Sequence, residues 1–219
     1  MADENALINK AIILENQGKT EEAIAIYERL IQKETTMFQP YLNKSILINR
    51  MGMKDEAIFY AKKAVERTNN NFPAYLHLAT LLREVKRYKE SIKYYDRAIQ
   101  LQPTHAGAHN DKGIALKELG LKDQAIESYK EAIRLDPNLY HSYNNIGAVL
   151  KEQGKRDEAM KYYQKAIDLN PKYAQAYNNI GVLLDEINKN QEALKYYEKA
   201  LECFPEFPEA NYHKDIGRA

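Results

Sequence analysis

Between residues 140 and 173 the apolar positions form two stripes. Tyr143, Ile146, Gly147 and Leu150 fall at i, i+3, i+4 and i+7, which places them on one face of an α-helix. Gly154 then interrupts the pattern, as a glycine does at a helix C-terminus. Ala159, Tyr163, Ala166 and Ile167 make a second stripe, with Asp157 at the place expected of an N-cap. Pro171, after Asn170, closes the segment. The pattern predicts two helices of about 14 residues, each roughly 21 Å long. Gly147 and Ala159 leave room for close helix approach, and Tyr143 and Tyr163 fill the gaps between helices.

The same segment recurs. Pro103, Pro137, Pro171 and Pro205 stand 34 residues apart, and so do Gly113, Gly147 and Gly181. The strings AGAHNDKGIALKELG, YHSYNNIGAVLKEQG and AQAYNNIGVLLDEIN align without a gap, and stepping back recovers FPAYLHLATLLREVK, FQPYLNKSILINRMG and ENALINKAIILENQG. Six gapless units result: 4–37, 38–71, 72–105, 106–139, 140–173 and 174–207. A period of this length marks a stack of supersecondary units and not one or two globular cores.

In the last unit Tyr177, Ile180, Gly181, Leu184, Ala193, Tyr197, Ala200 and Pro205 carry the pattern, and it resembles the tetratricopeptide repeat (TPR) family. The resemblance spans residues 4–207 in register and 208–219 in part. It implies an all-α fold, a right-handed superhelical solenoid of antiparallel helix pairs, over residues 1–219 as one domain. It also implies that first helices line a concave groove and second helices an outer wall.

The first units depart from the pattern. Thr35 and Asn69 stand where later units have Pro, Leu30 replaces a small residue, and Ala61 replaces the second-helix Tyr. Lys10, Lys44 and Lys112 take places expected of Leu or Ile. Their stems are expected to cover apolar surface with the ammonium in solvent. The N-terminal units are thus expected to pack less regularly.

First-helix residues off the packing stripe are the candidate ligand readers. One row is Ile8, Leu42, Leu76, Asn110, Asn144 and Asn178; the next is Asn9, Asn43, His77, Asp111, Asn145 and Asn179. One turn further are Ile12, Ile46, Thr80, Ile114, Ala148 and Val182, and beyond them Arg50, Arg83, Lys117 and Lys151. Asn offers both a donor and an acceptor, so the second row can pair with a peptide backbone whatever its sequence. Alternatively these Asn bond neighbouring helices or face water. The ladder is loosely similar to the one in the TPR superhelix of O-GlcNAc transferases, which implies a grip on polypeptide. Ile8, Leu42 and Leu76 make an apolar N-terminal trough if they face the groove. It would suit an amphipathic helix or a second copy of the chain. The other reading is that the irregular first units bury them.

Composition removes other classes. Lys and Arg number 32 against 31 Asp and Glu, a net charge of +1, too weak a field for a general nucleic-acid binder. The positive excess is local, +3 in each of the units 38–71 and 72–105, and most of it, including Lys62, Lys63 and Lys93, falls on second helices. One Cys, Cys203, makes neither an internal disulfide nor a thiolate metal cage. No apolar run approaches ~18 residues, and the acidic start Asp3-Glu4 is unlike a secretory signal. A cytoplasmic location is expected.

Catalytic chemistry is not signalled. His105 and His109 have metal-like spacing, but His105 lies in an inter-repeat turn and His109 takes the place of Tyr143, so it reads as a packed core residue. No phosphate loop or nucleophile–His pairing stands out, and no cofactor or metal site is expected. The TPR subclass that grips chaperone tails ending in EEVD needs Lys and Asn where this chain has Ile8, Ile12, Leu42 and Leu76, so that clamp is not expected. Residues 208–219 start a further first helix whose stripe, Asn211, Lys214, Asp215 and Arg218, is polar. It is expected to cap the array, at the end of the protein or before another domain. The expected function is a non-enzymatic scaffold or adaptor that binds a peptide segment or helix. The alternatives are the substrate-recruiting part of a larger enzyme such as a glycosyltransferase, and a structural subunit of a large assembly, for example a ciliary one.

Overall fold

The computed structural model describes residues 2–216. Arg218 and the side chains of Lys214 and Asp215 lie outside the described residues. Thirteen helices form six antiparallel pairs and one further helix, among the described residues. The pairs are α1 (Ala2–Asn16) with α2 (Thr20–Gln32), α3 (Gln39–Arg50) with α4 (Lys54–Glu66), and α5 (Phe72–Glu84) with α6 (Tyr88–Leu101). They continue with α7 (Ala106–Glu118) and α8 (Lys122–Leu135), α9 (Tyr140–Glu152) and α10 (Arg156–Leu169), and α11 (Ala174–Asp185) and α12 (Asn190–Cys203). Helix α13 (Pro208–Ile216) follows. The chain divides into two compact units, residues up to Thr104 and residues from His105.

One turn closes every pair. The residue between the helices adopts positive φ: Gly18, Gly52, Lys86, Gly120, Gly154 and Asn188. The following N–H reaches back to a carbonyl five residues earlier, as from Lys155 to Leu150 at 2.9 Å and from Arg87 to Leu82 at 2.8 Å. This left-handed cap satisfies carbonyls that a helix end leaves open. Gly154 takes that conformation without a Cβ penalty, whereas Lys86 holds it at φ 62 against the steric preference of an L-residue. The N-cap expectation for Asp157 is corrected. Lys155 is the N-cap, and Asp157 lies in the first turn with Glu158, where carboxylates favour the helix dipole instead.

In the unit from His105, packing within a pair rests on one glycine–tyrosine contact. Tyr129, Tyr163 and Tyr197 are buried. A Cβ on Gly147 would lie 2.6 Å from the Tyr163 ring, and the same holds for Gly113 against Tyr129. Ala159 and Ala166 of α10 and Ile146 and Val149 of α9 are buried as well. A buried aromatic of this size removes ~150–250 Å² from water, so the glycine admits the largest buried ring of the pair.

The unit up to Thr104 varies the theme. Ala11 and Ala79 stand in the register of Gly147, and Tyr27 and Tyr95 in that of Tyr163, all fully buried. In the second pair the aromatic is gone. Ala61 stands there, Ser45 occupies the small-residue place, and both are fully buried. The Ser45 hydroxyl donates to the Ala57 carbonyl at 2.7 Å and lies 2.9 Å from His77 Nε2. Lys44 corrects another expectation. Its ammonium is not in solvent, for the residue is 3% exposed. It meets Glu28 and the Tyr60 hydroxyl, both at 2.8 Å, and lies 4.1 Å from the Tyr60 ring centroid. Burial alone would lower this ammonium's pKa, but the bonds to Glu28 and Tyr60 outweigh it and raise it.

Candidate peptide-binding face

In the first unit the rows split. Ile8 and Leu42 are 5% and 7% exposed and belong to the core, while Leu76 is half-buried. Ile8 and Leu42 thus follow the reading in which the irregular first units bury these residues, while Leu76 keeps part of its surface open. Asn9 is exposed. The Asn43 amide donates to the Tyr27 hydroxyl at 3.0 Å, and Tyr27 in turn donates to Glu15 at 2.5 Å. His77 takes the Asn place in the third pair. Since Ser45 spends its proton on Ala57, His77 Nε2 carries the hydrogen toward Ser45. Burial pushes the His77 pKa down to about 4, with Glu84 opposing. Arg50 is exposed, and Arg83 Nε donates to the Tyr95 hydroxyl at 3.1 Å.

The unit from His105 builds a different face. Asn110, Asn144 and Asn178 are 8%, 5% and 4% exposed. They are tie-points between successive first helices. Asn110 Oδ1 accepts from Ser142 Oγ at 2.9 Å and from Asn145 Nδ2 at 3.1 Å. Asn144 Oδ1 accepts from Asn179 Nδ2 at 2.9 Å. The same oxygen of Asn178 is buried without a hydrogen-bond partner among the described residues, and the residue in register to donate to it is His213. That ring stacks on Tyr197 at 5.2 Å. Asp111, Asn145 and Asn179 are half-buried and form the outer row. The two rows thus do different jobs: the inner row fixes the orientation of the outer one.

Around this row lie Ile114, Ala148 and Val182, half-buried. Lys117 reaches Glu118 at 3.4 Å and Glu152 at 3.9 Å, whereas Lys151 makes no ion pair among the described residues. At the start of α9, Tyr140, His141 and Tyr173 cluster with ring centroids 4.0–5.1 Å apart. Burial lowers the His141 pKa, partly opposed by Asp111. Sequence reading passed over this triad, since none of the three has an aromatic counterpart in both neighbouring units. It named Arg83, which pairs with the Tyr95 hydroxyl, but passed over Glu15 and Asp185, which pair with those of Tyr27 and Tyr197. Asp185 accepts from Tyr197 at 2.5 Å as Glu15 does from Tyr27, and Glu15, Asn49, Arg83, Lys117, Lys151 and Asp185 share one register position. That register was the available signal.

Elsewhere His105 is the N-cap of α7, with Nδ1 accepting from the Ala108 N–H at 3.0 Å. Cys203 is half-buried, its pKa raised by burial. Clefts of about 350 and 340 Å³ lie beside α10, the larger lined by Asp123, Glu127, Gln153 and Tyr162 among others.

Comparison with known proteins agrees with this architecture. Models of the tetratricopeptide repeat match residues 72–138 and 138–206, and a second model of the same repeat matches 6–40. A crystal structure of MamA protein is 26% identical, with a TM-score of 0.73 over 80% of this chain and 96% of that one. MamA residues 41–end from Desulfovibrio magneticus RS-1 are 20% identical, with a TM-score of 0.72 over 77% and 95%. YrrB, a TPR protein with an unusual peptide-binding site, is 22% identical, with a TM-score of 0.64 over 86% and 97%. No curated protein matches the chain.

Proposed function

The chain belongs to the tetratricopeptide repeat family, and from that premise we propose that it is a non-enzymatic scaffold or adaptor that holds a peptide segment of a partner protein against its first helices. One observation carries the reading. In the unit from His105, buried Asn110 and Asn144 clamp Asn145 and Asn179 in fixed orientation on a half-open face. Fixed amides lose little entropy when a ligand arrives, and hydrogen bonds to a backbone do not depend on its side chains. A repeat stack has an extended surface rather than a deep convergent pocket, which suits holding a chain more than transforming it. YrrB, with its peptide-binding site, shares the fold.

The test compares the intact chain with an Asn145→Ala, Asn179→Ala double variant. Affinity capture followed by cross-linking should recover a polypeptide partner with the first and about tenfold less with the second, if each lost hydrogen bond contributes ~0.5–1.5 kcal/mol. Equal recovery by both, with cross-links confined to second helices, would remove the face from the function.

A further inference from the structure

We infer that the outward face of α1 is a second docking surface, one that takes an amphipathic helix of a partner protein with a carboxylate set between its apolar side chains. This surface shares no residue with the row at Asn145 and Asn179.

The face is defined by what covers it elsewhere. Within each compact unit a second helix packs on the next first helix: α2 on α3, α4 on α5, α8 on α9, α10 on α11 and α12 on α13. Ala6 stands in the register of Ala74, Ser142 and Ala176, all fully buried. Ile13 stands in that of Leu47, Leu81, Val149 and Leu183, none more than 2% exposed. Leu47 shows the cause, because it joins the core made by Ala11, Ala23 and Tyr27 of the preceding pair. In α1 the same positions are open. Ala6 and Lys10 are exposed, and Ile13 is 57% exposed. The three fall at i, i+4 and i+7, so they share one face of the helix. Ile8, Ala11 and Leu14 are buried on a different face.

Charge identifies the occupant. Lys44, in the register of Lys10, is buried and meets Glu28 of α2 at 2.8 Å. Glu28 stands sixteen residues earlier in the chain. The sequence repeats this coupling: Asp96 stands sixteen residues before Lys112, and Glu198 before Lys214. Where the first helix has Leu78, Ile146 or Ile180 instead, the earlier residue is Lys62, Lys130 or Gln164. A lysine at this register thus goes with an acid on the preceding second helix, and an aliphatic residue goes with none. Lys10 is the remaining lysine of the set, and it makes no ion pair among the described residues. A helix that covers Ala6 and Ile13 takes the Lys10 ammonium out of water, which is costly without an anionic partner. The occupant must therefore bring a carboxylate between apolar groups, as α2 carries Glu28 between Ile24 and Ile31. A second copy of this chain has none to offer, since α2, α6 and α12 each already precede a lysine-bearing first helix of their own.

The probe is a capped, dye-labelled helix of about 14 residues, stapled on its polar face because a free helix of that length is marginal in water. It carries Ile, Glu and Ile at i, i+4 and i+7, and two controls carry Gln or Lys in place of Glu. Fluorescence anisotropy with the full chain should show the Glu probe binding about tenfold tighter than the Lys probe. Lys10→Glu should invert that order, and Ile13→Ser should weaken all three probes about tenfold. Both variants should keep the melting curve of the parent, because both side chains are exposed. A graft supplies the same helix at high effective concentration: residues 20–37, copied directly before Glu4, place a Glu sixteen residues ahead of Lys10. Hydrogen exchange of the α1 amides should then slow about tenfold, and Glu28→Lys in the copy should undo most of it. The proposal falls if Lys10→Glu leaves the order of the probes unchanged, or if neither probe nor graft acts on α1. It also falls if light scattering shows self-association that Lys10→Glu abolishes, since the occupant is then a second copy.

Discussion

The pairs α3/α4 and α9/α10 occupy equivalent places in the repeat and solve one packing problem in two ways. In α9/α10 a glycine gives up its side chain so that Tyr163 can fill the gap. In α3/α4 the tyrosine is missing, and polar groups replace it: Ser45 bonded to Ala57 and His77, and Lys44 held between Glu28 and Tyr60. The second solution leaves a mark. Asn49 stands where Glu15 and Asp185 accept from a tyrosine hydroxyl, and with Ala61 opposite, its Oδ1 is buried without a partner among the described residues. A tyrosine plug fills its space by shape and brings one hydroxyl to satisfy, whereas the polar set must satisfy every donor and acceptor that Ser45, His77 and Lys44 bring.

The strongest way to break the comparison is to remove the plug. Tyr163→Ala should cost about 3–5 kcal/mol, the range for losing a buried aromatic, measured by urea denaturation. A loss below ~1 kcal/mol would mean that α9/α10 does not depend on its tyrosine. The next test uses acidity. His77 is depressed to about 4 from an ordinary 6.5, so the unfolded chain binds the extra proton first. Its contribution is complete above pH 6.5 and is lost progressively as pH falls toward 4. Between pH 7 and pH 5 this term should cost about 2 kcal/mol at 1.36 kcal/mol per unit. His77→Asn, the residue of the later rows, should flatten that part of the profile. An unchanged profile in this variant would place the pH response elsewhere.

A third test moves one solution into the other's place. Ala61→Tyr should overpack against Ser45 by about 1–3 kcal/mol. Adding Ser45→Ala, the Ala79–Tyr95 arrangement, should recover part of it, with a coupling of ~1 kcal/mol in a double-mutant cycle. Additive effects would show that the two positions do not share the space. The smallest effect belongs to the turns: Lys86→Gly should stabilise by about 1 kcal/mol, because it relieves a left-handed lysine, read as a rise in melting temperature. Gly154→Ala should move it the other way.

Much of the fold was legible because its determinants are local or recur with the period. The stripe at Tyr143, Ile146, Gly147 and Leu150 and the break at Gly154 need no knowledge of distant contacts. Burial of Lys44 was not legible. Its partners Glu28 and Tyr60 lie 16 residues away on either side, on helices whose facing becomes known only when packed. The face was half legible for a related reason. The rows of Asn could be read directly, but an amide has two ends. Only the bonds reaching 35 residues, Asn145 to Asn110 and Asn179 to Asn144, decide which end is spent inside. The sequence leaves the second-row Asn free to pair with a peptide backbone, to bond neighbouring helices or to face water, and in this unit Asn145 and Asn179 are held by the inner row.

Those long bonds have a consequence for how the protein can change. Within the unit from His105, Asn145 depends on the preceding repeat and Asn144 on the following one, each at the same offset. A duplicated copy of residues 140–173 inserted after Tyr173 would therefore find every tie already provided on both sides. The ladder would lengthen by one rung with no new side chain to invent. Deleting a single residue inside a first helix would instead rotate every later side chain on that helix by ~100° and break the ties on one side. The architecture tolerates edits of whole units far better than edits of one residue, so its reach along a partner can be set by copying.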